Sequence, residues 1–127
     1  MIEIRIEAGY RNLSDVTDIY TNIVALGAGI PSSLRLVLAI DWRRCEVMAE
    51  EAAQQLSASM RGTNVRIERS GALLPIQSPV AMLQLARMLR ESKNPARRGF
   101  TEPQPMIAWL SETLSPAEAE RLRVFIG

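Results

Sequence analysis

The sequence predicts an α+β fold in which long helices pack on a small, mainly antiparallel sheet and a C-terminal helical appendage follows. Three observations lead there. Residues 2–8, IEIRIEA, alternate apolar and charged side chains at the two-residue period of a half-buried strand. Residues 16–24 and 34–59 carry apolar side chains at helical spacing. The stretch NVRIERSGALLPIQ reads as two short strands joined by a turn at Ser70-Gly71.

In the first strand Ile2, Ile4 and Ile6 share one face, and Glu3, Arg5 and Glu7 the other. Gly9 and Asn12 end it. Ser14 is the expected cap of the first helix, with Asp15 and Asp18 in the first turn, where carboxylates suit the helix dipole. Val16, Ile19, Tyr20, Ile23 and Val24 form its apolar stripe. Gly27 and Gly29 stop it, and Pro31 restarts the chain.

Residues 32–60 allow two readings. Leu34, Leu36, Leu38 and Ile40 alternate, as in a short strand. Yet Leu34, Val37, Leu38, Trp42, Cys45, Ala49, Ala52, Leu56 and Ser59 also share one face of a single long helix, with Asp41 as the only breach. Helix-forming residues dominate, Pro31 precedes and Gly62 follows, so the single helix is preferred. After the expected hairpin, Pro75 should stop the returning strand early or hold it at an edge. Ser78-Pro79 opens a further helix, and NPARRGF reads as a loop. Pro103 and Pro105 favour extended backbone before a short helix carrying Ile107, Leu110 and Leu114. Ser115, Pro116 and Glu118 then make a capping-box start for the last helix. The chain divides into a core domain, residues 1–95, and a linker with a helical arm, residues 96–127.

Composition narrows the function classes. With 47% hydrophobic and 23% charged residues in 127, the chain is long enough for one core. A net charge of +1 gives no general argument for nucleic-acid or anionic-membrane binding. Cys45 is the sole cysteine, so no internal disulfide forms, and its place on an apolar stripe predicts a buried thiol rather than a nucleophile. Histidine is absent, which removes the commonest general base and metal ligand. The opening MIEIRIEAGY has no signal-peptide pattern, and no apolar run approaches the roughly 20 residues of a membrane span. A cytoplasmic protein, or part of a soluble assembly, is expected.

Candidate chemistry is sparse. Glu46 and Glu50 share a helix face beside Glu51, but a solvated face is the expected role. GAG at residues 27–29 lacks the lysine and hydroxyl residue of a phosphate loop. No catalytic residue, cofactor or metal is therefore predicted. Arg87, Arg90, Lys93, Arg97 and Arg98 make a locally basic run that can contact an anion or nucleic acid. With Phe100 as the only aromatic nearby, an ordinary charged helix end is preferred. Pro105, Met106, Ile107, Trp109 and Leu110 form an apolar, proline-bracketed segment. Such a segment either folds back on its own core or packs on a neighbouring subunit, since tryptophan is frequent at interface hot spots.

The order of parts resembles a family. A strand MIEIRIEAG, a helix, GIPSSLRLVLA leading to CEVMAEEAAQQLSASMRG, a hairpin and a closing EPQPMIAWLSETL look like the tail-completion, or head–tail joining (neck), proteins of long-tailed bacteriophages. Arg61, Gly62 and Thr63 echo that family's lead into its sheet only loosely, and its aromatic, acidic stretch after the strands is missing from SPVAMLQLARMLRES. The resemblance implies a non-enzymatic virion component forming a homo-oligomeric ring, found in the virion or in host cytoplasm during assembly. Residues 105–110 would touch neighbouring subunits or other connector and tail proteins, with no small-molecule substrate and no membrane. A cytoplasmic interaction adaptor or regulatory domain is the alternative, and a nucleic-acid-binding protein a less favoured one. Separately, NVRIERSGALLPIQSPVAMLQLA resembles the hairpin and helix of the histidine phosphocarrier protein, with a serine in the place of Ser78. Without a histidine, phosphocarrier activity does not follow.

Overall fold

The computed structural model describes residues 1–7, 9–10 and 12–127. Four strands, β1 (Ile2–Arg5), β2 (Leu36–Asp41), β3 (Ile67–Leu73) and β4 (Arg97–Phe100), form one sheet in the order β1-β2-β3-β4. Every pairing is parallel. Helices α1 (Leu13–Ala28), α2 (Glu50–Thr63) and α3 (Pro79–Glu91) connect successive strands, and α4 (Pro103–Ser111) and α5 (Pro116–Ile126) follow the last.

The mainly antiparallel sheet expected from sequence is thus corrected to a wholly parallel one. The reason lies in the connections. Each pair of neighbouring strands is joined by a helix, and such crossovers return the chain to the same end of the sheet. The expected hairpin does not form. Ser70 and Gly71 lie inside β3, where they pair with Leu38 and Ala39 on one side and Arg97 and Arg98 on the other. Small residues signal a turn in sequence, but here Gly71 serves a close approach: a Cβ would lie 3.1 Å from Leu110 Cδ1 and 3.2 Å from Met106 Cγ.

The preferred single helix over 32–60 is also corrected, to β2, a loop and α2. All six residues of β2 are buried because both faces of the sheet are covered, and a doubly covered strand reads as a continuous apolar run. NPARRGF, expected as a loop, supplies β4 instead. The expected first strand shortens to Ile2–Arg5, and Ala8 lies outside the described residues. Asn12, not Ser14, caps α1, its side chain accepting from the Asp15 amide at 3.0 Å. The capping box at Ser115 and Glu118 forms as its spacing implies.

Alternation along the strands divides the core into two layers. Leu36, Leu38, Ile40, Ala72 and Leu74 face α1, α2 and α3, joined by Ile2 and Ile6 and by Leu56, Met60 and Leu85 from the helices. Val37, Ala39 and Leu73 face the other way and meet Met106, Ile107, Leu110, Leu122 and Ile126. The C-terminal segment is therefore the second layer of the domain. Truncating Leu110, which has no exposed surface, to alanine is expected to cost about 2–5 kcal/mol, as large-to-small changes in packed cores do. Urea denaturation checks this, and a change within about 0.5 kcal/mol, the scale of surface substitutions, contradicts it.

Candidate functional site

Helix α1 covers the outer part of the first layer incompletely. Of its apolar stripe, Val16 is fully buried, Ile19 and Tyr20 pack on the rim of the core, and Val24 stays 61% exposed. Between α1 and the sheet lies a cavity of about 410 Å³, within the range of small-molecule sites. Its walls are Ile4, Leu38 and Ile40 from the strands, Tyr20 and Ile23 from α1, and Met60 from α2. At the end nearest the last residues of β2, Trp42 Nε1 donates to Tyr10 Oη at 2.9 Å. That bond satisfies the indole N–H and occupies an acceptor site of the phenol, and the other residues lining this end are apolar. Burial pushes the Tyr10 phenol above its ordinary range, opposed by its bond to Trp42.

The opposite end is cationic. Arg97, the first residue of β4, is only 5% exposed. Its Nε donates to Asn64 Oδ1 at 2.8 Å, and its Nη2 to Met60 O at 3.0 Å and Thr63 Oγ1 at 2.9 Å. A cation at the C-terminus of α2 suits that helix's dipole, but no carboxylate pairs with Arg97 among the described residues. Burial accordingly weakens its hold on the proton relative to a free guanidinium. Beside it, Arg66 donates to the carbonyls of Gly27, Pro31 and Leu34, while its Nε is buried without a partner. Tyr20 also lines the cavity, and burial raises its phenol to about 12 against the opposing pull of the Arg97 charge.

The C-terminal edge of the sheet is closed by a different cluster. Asp41 accepts from Arg5 Nε at 3.2 Å and from Arg43 Nε and Nη2 at 2.9 and 2.8 Å. Arg43 also donates to Ile126 O at 2.9 Å, and Arg5 donates to Phe125 O. This clamp ties the end of α5 to β2. Desolvation raises the Asp41 carboxyl, but the Arg43 and Arg5 hydrogen bonds outweigh it and hold the group below the usual carboxylate range. Cys45 lies nearby in the loop after β2 and is buried as expected, although the helical stripe behind that expectation does not form; desolvation pushes its thiol up to about 12.

The basic run does not form one patch. Arg97 is buried, Arg87 pairs with Glu91 at 2.8 Å, and Arg98 stacks over the rings of Phe100 and Trp109. Arg90 and Lys93 share an open hollow beside Asn94 and Pro95, which the buried Arg97 also borders. Of the apolar arm, Met106, Ile107 and Leu110 are buried in the chain's own second layer, and Pro105 is exposed. Trp109 is half-buried, its ring under the guanidinium of Arg69 as well as Arg98. Glu46, Glu50 and Glu51 are exposed. Arg66 and Tyr20 had no functional signal in sequence, because their partners come from distant segments. Comparison with protein families, with characterised proteins and with solved structures finds no match for the chain.

Because Asp41 is more acidic folded than unfolded, its contribution is present above the ordinary carboxylate value of about 4 and is lost as pH falls through its folded value. The urea midpoint of the parent should therefore decline below that pH. Asp41→Asn should start lower, for want of an anion between two arginines, and decline less steeply. Equal acid slopes in the two proteins would contradict the clamp.

Proposed function

We propose that this chain is a non-catalytic regulatory or binding domain that holds a small apolar molecule beneath α1. The observation that carries the reading is the cavity itself. A partly open cavity walled by Ile4, Ile23, Leu38, Ile40 and Met60 presents apolar surface that meets water when empty. An apolar guest of matching volume covers that surface. The lining comes from the strands, from α2 and from α1, and Val24 at its α1 rim is 61% exposed, which puts the opening of the cavity beside α1.

A structural role in a phage neck drew its physical motive from an arm seeking shelter on another polypeptide. With Met106 and Leu110 wholly covered by their own chain, the arm lends that reading no support. The cavity favours the regulatory alternative and adds a small-molecule partner that composition gave no reason to expect.

Nile red, a neutral dye whose emission rises in apolar surroundings, tests the reading. The parent is expected to bind it saturably, one molecule per chain. Ile23→Trp, which places a larger side chain in the cavity, should weaken binding about tenfold or more while the protein stays folded, that factor being about 1.4 kcal/mol. Non-saturable binding, or equal affinity in parent and variant, overturns the reading.

A further inference from the structure

We infer that the molecule held beneath α1 is a single-chain amphiphile ending in one carboxylate, its acid at the Arg66 and Arg97 end and its tail running towards Trp42. The inference rests on the reading of the cavity as a ligand site and adds the chemistry of the occupant. Two observations of independent origin carry it: the charge of the lining, and its layout.

Among the described residues the lining contains two arginines, Arg66 and Arg97, and no aspartate or glutamate. Neither guanidinium has a carboxylate partner among the described residues. Both are held by neutral acceptors: backbone carbonyls for Arg66, and Asn64, Thr63 and a carbonyl for Arg97. Arg97 is the buried one of the two, and a buried cation without a counter-ion is costly, such charges being ordinarily paired. The bonds of Arg97 engage Nε and Nη2, so its Nη1 group keeps its donors free among the described residues. Arg66 Nε is buried and unpartnered. Tyr20 contributes a hydroxyl with no hydrogen-bond partner among the described residues. An anion at this end would meet the open donors of Arg97 Nη1 and the Tyr20 hydroxyl, with the Arg66 charge beside them.

The layout selects the rest of the molecule. Arg66 and Thr63 lie at the junction of α2 and β3, Arg97 opens β4, and Gly27 ends the same side of the cavity on α1. All belong to the N-terminal end of the strands. Ile4, Ile40 and Trp42 line the other end, where the polar groups among the described residues are Trp42 Nε1 and Tyr10 Oη, the first donating to the second. One end therefore takes charge and the other hydrocarbon. A carboxylate fits the donors better than a phosphate monoester does. It offers two oxygens to a few directed N–H and O–H groups. A phosphate brings up to two charges and three oxygens, more than one unoccupied guanidinium edge serves.

The test uses dodecanoate and its uncharged methyl ester on the full chain carrying Trp109→Phe, which leaves Trp42 as the one indole and a reporter inside the cavity. Dodecanoate should change Trp42 emission saturably and bind about tenfold or more tighter than the ester, the scale of a charge-assisted hydrogen bond. Arg97→Gln should shrink that preference to about threefold or less. If this variant does not fold, Arg66→Gln, whose guanidinium contacts only carbonyls at the mouth, supplies the same comparison. Equal binding of acid and ester, or a preference unchanged by the arginine substitution, overturns the carboxylate assignment and leaves an apolar site standing. Failure of both ligands to perturb Trp42, in a protein that also rejects Nile red, removes the site itself.

Discussion

Four parallel strands laid side by side in chain order impose a constraint on everything else in the molecule. Right-handed crossovers that always advance in one direction place all their helices on the same face of a sheet, and α1, α2 and α3 do share one face here. The opposite face would then present Val37, Ala39 and Leu73 to water unless later chain covered it. Helices α4 and α5 provide that cover. This explains why β2 is buried on both sides, and why Gly71, with no Cβ, faces α4. It also explains why Asp41 binds two arginines that reach the carbonyls ending α5. An apolar segment that looks adhesive in isolation is half of the domain's own core.

The same constraint leaves α1 as the outermost helix of its layer, over the β1 edge. It packs chiefly against α2, and part of its apolar stripe, Val24 above all, stays exposed. The space left below is the cavity. In open parallel sheets, ligands usually bind beyond the C-terminal ends of the strands. In this chain that end is taken by the Arg5–Asp41–Arg43 clamp. The charged end of the cavity lies instead where β3 and β4 begin, beside the C-terminus of α2, whose Met60 carbonyl and Thr63 hydroxyl help hold Arg97 in place.

How far the fold could be read in advance depended on how each element uses its faces. The alternation in IEIRIEA betrayed β1, because an edge strand keeps Glu3 and Arg5 towards solvent and the flanking ion pairs. Strand β2 has no such contrast, so its period of two dissolved into a helix-like pattern. Ser70-Gly71 imitated a turn because sequence records small size but not the helix that needs it. Strand β4 is four residues long, and its buried arginine looks like surface until the carbonyls and amide it serves are known. The site was less legible still. Tyr20, Arg66 and Arg97 are separated by dozens of positions, and an empty volume has no residue of its own. The capping box at Ser115 was readable, since it follows from local pattern alone; Cys45 is buried as expected, but not through a helical stripe.

Proton–proton contacts between a bound alkanoate and the chain's methyl groups test the central claim most directly. A filtered Overhauser spectrum of the dodecanoate complex should connect the tail to the methyls of Ile23, Leu38 and Met60, all of which line this cavity. Contacts confined to the exposed side chains Ile76, Val80 and Leu83, or none to the cavity methyls, would contradict the account.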